Sequence, residues 1–163
     1  MKKEIIEMTT PIKLIGLTAR TSNADEFNPN TGKIGSVIGH YWQQGLADKI
    51  LHQIQPGVTL AVYANYASDF NGPYDYFYGN KVSTLNEVPK ELATLIIPAG
   101  KYVKFTTESG PMPEVVIHAW QQIWKMTAGD LGGERAYKAD FEVYDERAQD
   151  NKNAVVDIYI GIK

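Results

Sequence analysis

The side chain best placed to do chemistry in this sequence is one glutamate set among apolar and aromatic neighbours, Phe141-Glu142-Val143-Tyr144. Alternate residues of an extended chain share a face. If the aliphatic Val156, Ile158, Ile160 and Ile162, together with Phe141 and Val143, lie under a covering layer of helices, then Glu142, Tyr144 and Tyr159 point the other way. The same count through the earlier strand-like segments sends Tyr63 and Phe77 to that side. An ionised carboxylate in a partly dry aromatic cleft is costly unless it meets a cation, and aromatic ring faces attract the same cation. The chemistry expected of Glu142 is therefore selection of a cationic ligand. The competing reading is a glutamate on the wet side of an amphipathic strand. Trp120 and Trp124, four apart on a helical pattern, suit a core as readily as a ligand cage.

Other chemistries find little footing. The chain has no cysteine, which excludes thiol catalysis, thiolate zinc sites and iron–sulfur clusters and suits a reducing cytoplasm. His40, His52 and His118 are scattered, and a two-histidine pair without a third ligand is a poor zinc site, so no metal is expected. There is no G-x-S-x-G elbow and no H-E-x-x-H, and Gly129-Asp-Leu-Gly132-Gly133 lacks phosphate-loop or dinucleotide spacing, so no cofactor is expected either. Sixteen basic and nineteen acidic residues, scattered rather than clustered, argue against a nucleic-acid surface. Glu4 and Glu7 interrupt any signal-peptide core, and no run of 18 apolar residues would cross a membrane.

The elements that must hold these residues follow from periodicity and turn chemistry. Ile12–Ala19 reads as a strand and 20–33 as a loop, either a lid or a connector. From Ile34 an apolar face recurs at three- and four-residue spacing as far as Ile54, predicting one helix that stops before Pro56-Gly57. Val58–Tyr66 and Tyr74–Thr84 are strands. The order then repeats: a strand-like Thr94–Thr107, a helix opened by Pro111 and Pro113, and strands over Arg135–Tyr144 and Ala154–Ile162. Trp42-Gln-Gln recurs as Trp120-Gln-Gln at an offset of 78, Leu60–Tyr63 aligns with Phe141–Tyr144 at 81, and Asp75-x3-Gly79-x-Lys81 aligns with Asp157-x3-Gly161-x-Lys163 at 82. Three matches in one order point to an internal duplication, about 11–85 and about 93–163, within a single domain spanning 1–163. The expected fold is α+β: duplicated β-α-β-β units about a pseudo-twofold axis, antiparallel sheets with helices on one face, and a cleft between the halves. Glu142 falls opposite Ala61 in this alignment, so it breaks the symmetry. Ten Tyr, five Phe and three Trp supply the aromatic walls.

Asp140-Phe-Glu-Val-Tyr-Asp145 followed after a loop by Val156-Asp-Ile-Tyr-Ile160 resembles the C-terminal signature of the GyrI-like effector-binding domain, which also serves AraC-type and MerR-type multidrug-responsive regulators. Pro98-Ala-Gly100-Lys-Tyr102 ahead of a Trp-bearing helix is similar to the family's mid-chain pattern. The resemblance implies a cleft for small, often cationic and lipophilic molecules, with Glu142 as charge partner and Tyr144 and Tyr159 beside it. Tyr41, Tyr63 and Trp120 follow by aromatic type and repeat position, with Phe77 and Trp124 completing the candidate set. Only about eleven residues precede the first expected strand, too few for a helix-turn-helix, so a stand-alone, cytoplasmic sensor or sequestering protein is expected, with a separate protein partner conceivable. Two alternatives stand beside it. One is a hydrolase of strained electrophiles using Glu142 as general base with Tyr144. The other is a protein-binding factor of the gyrase-inhibitor kind.

Overall fold

In the computed structural model, which describes residues 1–163, eight strands form one antiparallel sheet: β1 (Lys2–Met8), β2 (Ile12–Thr21), β3 (Thr59–Ala64), β4 (Tyr74–Val82), β5 (Ala93–Ile97), β6 (Gly100–Thr106), β7 (Arg135–Tyr144) and β8 (Asp157–Ile162). Four helices accompany them, α1 (Asn23–Glu26), α2 (Ile34–Gln43), α3 (Glu114–Trp124) and α4 (Ala128–Leu131), so the architecture is α+β as expected. The strand order is β1-β6-β8-β7-β3-β4-β2-β5. Outward from the β7·β3 seam, β7-β8-β6 on one side mirrors β3-β4-β2 on the other, each trio enclosing its own helix in the chain. The flanking strands are exchanged: β1 precedes β2 yet pairs with β6, and β5 precedes β6 yet pairs with β2.

This connectivity forces curvature. β1 and β2 stand first and seventh in the order, which in a flat sheet would separate them by about 29 Å. The three-residue link between Met8 and Ile12 reaches only about 14 Å. The link from Ile97 to Gly100 is shorter still and joins the eighth position to the second. The sheet must therefore curl, and its helix-free face becomes an enclosed core of Leu14, Leu60, Val62, Phe77, Tyr102 and Phe141. Gly16 and Gly79 face each other across β2 and β4 where the backbones come closest. A Cβ on Gly79 would lie 2.2 Å from the Ile15 carbonyl oxygen, a contact no side chain tolerates. On the other face, α3 packs on Val156, Ile158, Ile160 and Ile162, while α2 packs on Ile15, Ala61, Tyr76 and Tyr78.

The face assignments along β3 and β7, those of Tyr63, Glu142 and Tyr144 on one side and of Phe141 and Val143 on the other, are the reverse of the sequence expectation, whereas Phe77 and Tyr159 lie on the helix-free face as expected. Cross-strand partners share a face, and the register pairs Glu142 with Ile158 and with Ala61, so Glu142 lies under the helices. Phe141 and Val143 belong to the inner face instead, where the Phe141 ring stacks on Tyr159 at 4.5 Å. Both faces of this curled sheet are dry. Alternation between apolar and polar residues, which marks an inside only when the other side is wet, could not tell them apart.

Some element bounds also move. The helix from Ile34 ends at Gln43 rather than near Ile54, because Gly45 takes a left-handed φ of 60° and a 3-10 turn, Leu46–Lys49, redirects the chain so that Leu46 and Ile50 are buried while Ile54 is exposed. The span Thr94–Thr107 divides at Pro98-Ala99 into β5 and β6, and the first strand is β1, which lies within the residues read as a lead-in. The loop 20–33 contains α1, and 129–133 is entered by α4 with a Thr127/Asp130 capping box. No helix is long and apolar enough to cross a membrane.

Candidate functional site

Glu142 leaves β7 directly opposite Ala61 of β3, so only a methyl group faces it across the seam. That small neighbour leaves room for three donors to converge on the carboxylate. Tyr63 Oη donates to Oε2 at 2.8 Å, Trp120 Nε1 donates to the same oxygen at 2.7 Å, and Tyr144 Oη donates to Oε1 at 2.6 Å. Tyr63 and Tyr144 come from the seam strands and Trp120 from α3, whose apolar side is fixed by Val116, Ala119 and Ile123 packing on β8. Glu142 is 2% exposed, and no lysine, arginine or histidine of the chain lies within 4.0 Å of it. Burial pushes its carboxyl up from the ordinary value, and the bonds from Tyr144, Trp120 and Tyr63 counter only part of that. Tyr63 and Tyr144 are themselves raised well above the usual phenol value, by burial first and then by the Glu142 charge, so they remain donors.

This cluster forms the base of a cavity of about 320 Å³ lying between α2 and α3 over the seam. Tyr63, Tyr74, Tyr76 and Tyr144 pave the floor, Ile34, Gly35 and Ile38 of α2 form one wall, and Val116, Ile117, Trp120 and Trp124 of α3 form the other. Tyr63 is the hub: its ring meets Trp120 at 5.1 Å, Tyr74 at 5.3 Å and Tyr76 at 5.4 Å, all edge to face. At the mouth, Phe70 stacks on Trp124 at 5.8 Å with an interplanar angle of 8°, and Phe27, 67% exposed, meets the same indole edge-on at 6.3 Å. Phe27 rides on the segment 20–33, which is thus part of the cavity wall. Asn23 ties that segment down, donating to the Phe70 carbonyl at 2.8 Å and accepting from Tyr74 Oη at 2.8 Å.

The cavity wall carries two other charged groups, and both are engaged elsewhere. Glu26 accepts from the backbone N–H groups of Lys33 and Ile34 at 2.8 and 3.1 Å, which satisfies and charge-complements the start of α2. Arg135 donates to Asp140 Oδ2 at 2.5 Å, and that aspartate also accepts from Tyr66 Oη at 2.6 Å and the Gly161 N–H at 2.9 Å. Glu142 alone has only neutral partners. An ionised carboxyl has about four lone-pair positions, so three bonds leave room for one more contact from the cavity. Chemically, the arrangement can hold a lipophilic body against aromatic rings with a positive group near Glu142.

Of the residues singled out from sequence, Glu142, Tyr144, Tyr63, Trp120 and Trp124 meet in this cavity. Three do not. Tyr41 is wholly buried beneath α2 and donates to Asn80 Oδ1; Phe77 sits opposite Val62 in the inner core; Tyr159 stacks on Phe141 on that same inner face. Sequence reasoning passed over Tyr74 and Tyr76, whose alternation in Tyr74-x-Tyr76-x-Tyr78 was a legible signal once Tyr76 is set opposite Tyr63. It also passed over Phe27 and Phe70, each a solitary aromatic in a polar loop, and Arg135. The histidines stay apart, and no group of three or more His, Asp or Glu side chains is placed to hold a metal ion.

A curled antiparallel sheet with two helices over an aromatic cavity defines an effector-binding domain of the GyrI-like kind. Residues 5–162 match the Cass2 family model, described as integron-associated effector binding protein, and the chain belongs to that family. It is 30% identical over 151 residues to YobU of Bacillus subtilis (strain 168), named as a candidate transcriptional regulator, covering 93% of this chain and 92% of YobU. An integron cassette protein from the mobile metagenome of Vibrio cholerae superposes with a TM-score of 0.74 at 30% identity, over 99% of this chain and 95% of that one. The structure of SAV2435 bound to tetraphenylphosphonium shares the fold with a TM-score of 0.75 at 14% identity, over 100% of this chain and 94% of that one.

Proposed function

We propose that this protein binds lipophilic organic cations in the cavity between α2 and α3, with Glu142 as counter-charge, and so senses or sequesters them within a transcriptional or drug response. One observation carries this reading. A carboxylate 2% exposed is held by three neutral donors with no cation of the protein in reach. Burying an ion without a partner costs several kcal/mol, a cost that a bound cation removes, and the surrounding ring faces add attraction for the same charge. The fold-level likeness to SAV2435, which was captured with tetraphenylphosphonium, supports the ligand class. The regulator-like name of YobU supports a role in gene control. The matched offsets in the sequence fit a domain of two copied halves, about 11–85 and about 93–163, with the cavity at their junction.

Trp120 and Trp124 provide the readout. Adding tetraphenylphosphonium should change the tryptophan fluorescence saturably. Glu142→Gln, in which the amide oxygen accepts from Trp120 and Tyr63 while its NH2 donates to Tyr144 Oη, should weaken binding by roughly a hundredfold, as expected for losing one member of a buried charge pair. Neutral triphenylphosphine oxide should lose almost nothing. Equal losses for both compounds would sink the charge-partner role.

A further inference from the structure

Resting on that reading, we propose that Arg135 is a second recognition point in the same cavity, one that takes an uncharged hydrogen-bond acceptor, such as a carbonyl oxygen, on the ligand. Three buried side-chain polar atoms in the molecule have no partner, and two of them are Nε and Nη1 of Arg135. Its side chain is only 8% exposed and lines the cavity that holds Glu142. Bulk water does not reach either nitrogen, so neither is satisfied from solvent. Orphaned donors on a buried guanidinium are costly, and such groups are rare without a reason.

The backbone shows how the group comes to be there. The β7·β8 register shifts between Arg135 and Asp140, a bulge in which Tyr137 takes a left-handed φ of 51°. Bulges of this kind re-aim side chains beside binding sites. Here the guanidinium lies over the Tyr137 ring at 4.3 Å and farther, 6.0 Å, from Phe70 at the cavity mouth. Asp140 cancels its charge through Nη2, so the free Nε–H and Nη1–H groups, on opposite sides of the guanidinium, are separate hydrogen-bond donors in a locally neutral pair, which favours a neutral oxygen over a second anion. Asp140 and Glu142 lie on one face of β7 two residues apart, about 7 Å along a strand. With Arg135 tied to Asp140 at 2.5 Å, an aromatic arm of about 7 Å leads from Glu142 toward the Arg135 guanidinium. The preferred ligand class becomes the lipophilic cation bearing an acceptor at one aromatic ring-length from the charge, with Phe70 yielding as that acceptor enters.

The test uses two probes of one shape, tetraphenylphosphonium and its derivative with a 4-acetyl group on one ring. The intact protein should bind the acetyl probe about tenfold more tightly, the worth of one hydrogen bond to a charged donor. Arg135→Lys keeps a cation for Asp140 but, with its ammonium drawn onto that aspartate, removes the Nε and Nη1 donors from their positions, and should equalise the probes by weakening only the acetyl one. The C=O stretch of the acetyl probe should also move to lower wavenumber on binding to the unaltered protein, a readout that survives if the lysine variant fails to fold. No preference in the unaltered protein, an unshifted C=O stretch, or a preference that persists in Arg135→Lys overturns the assignment. Glu142-dependent binding of both phosphoniums without preference overturns Arg135 alone. Failure of either phosphonium to bind overturns the Glu142 reading and this one with it.

Discussion

The two halves of the sheet bury polar nodes in comparable places and put them to different uses. In the first half, Tyr41 under α2 donates to Asn80, whose amide donates in turn to the carbonyls of Val58 and Pro56 at 3.1 and 3.4 Å. Every partner is neutral and belongs to the protein. In the second half the buried node beside α3 is Glu142, whose partners are also the protein's own, yet its charge is answered by none of them, unlike that of Asp140, which meets Arg135. The two tryptophans that open the recurring Trp-Gln-Gln follow the same division. Trp42 ends a helix one residue later, is 51% exposed and gives its indole N–H to Tyr78 Oη at 3.0 Å. Trp120 has another turn of α3 beyond it, is buried and gives its indole N–H to Glu142. A node that closes on itself stabilises a fold. A node left one charge short, at the edge of a cavity, is a binding site.

That contrast is breakable, most forcefully at its centre by Glu142→Gln with its roughly hundredfold loss for a lipophilic cation. The next effect falls on the other node. Tyr41→Phe leaves the Asn80 carbonyl oxygen buried and unsatisfied, which should destabilise the protein by about 2 kcal/mol and lower its urea midpoint with an unchanged slope. Phosphonium affinity should stay as it was. Were Tyr41→Phe to weaken binding while leaving stability alone, the two halves would not divide as described. A smaller effect separates the tryptophans. Trp120→Phe removes one bond to the carboxylate and leaves a smaller ring beside Tyr63, and should cost about tenfold in affinity, whereas Trp42→Phe should cost nothing measurable.

Much of this was legible in the residues, and the part that was not has a single cause. The helix faces, the seam strands and the singular Glu142 all follow from periodicity and from the matched segments. Phe77 and Tyr159 do lie on the helix-free face, but the cavity is on the other one: parity puts Glu142, Tyr144 and Tyr63 on the helix-free face because it needs one wet face as its reference. This sheet has none: the short β1–β2 and β5–β6 links hold it curled, and its inner side buries a core of its own as the helices bury the outer. Only the pairing register, Glu142 with Ile158 and Phe141 with Tyr159, decides which set faces the helices, and register is a long-range property. Tyr41 failed for a narrower reason. A tyrosine on the inward side of an amphipathic helix needs a partner for its hydroxyl, and Asn80 satisfies it from within the core. Arg135 was invisible because the bulge that turns it inward leaves no mark of its own in the local pattern.

The smallest expected effect is the one that tests whether the second node really carries an unanswered charge. With its carboxyl raised by burial, Glu142 keeps a proton in the folded protein at pH values where the unfolded chain, near the ordinary 4.5, has already released it. Unfolding then releases a proton, so the contribution of Glu142 to stability falls as pH rises from about 4.5 to its raised value, by at most about 1.4 kcal/mol per pH unit. Other carboxyls, among them Asp145 beside Arg147, are shifted down and act in the opposite sense, so the raw stability curve mixes both. The difference between the unaltered protein and Glu142→Gln isolates the one group. The glutamine variant should gain on its parent through that window and then hold a constant advantage. Over the same window, phosphonium affinity of the unaltered protein should rise with pH, since the cation binds the ionised form and expels the proton, while that of the variant stays flat. A parent that gains on the variant as pH rises would mean that Tyr63, Trp120 and Tyr144 hold Glu142 ionised unaided. The second node would then be as self-contained as the first, and the cavity would have no charge left to offer a cation.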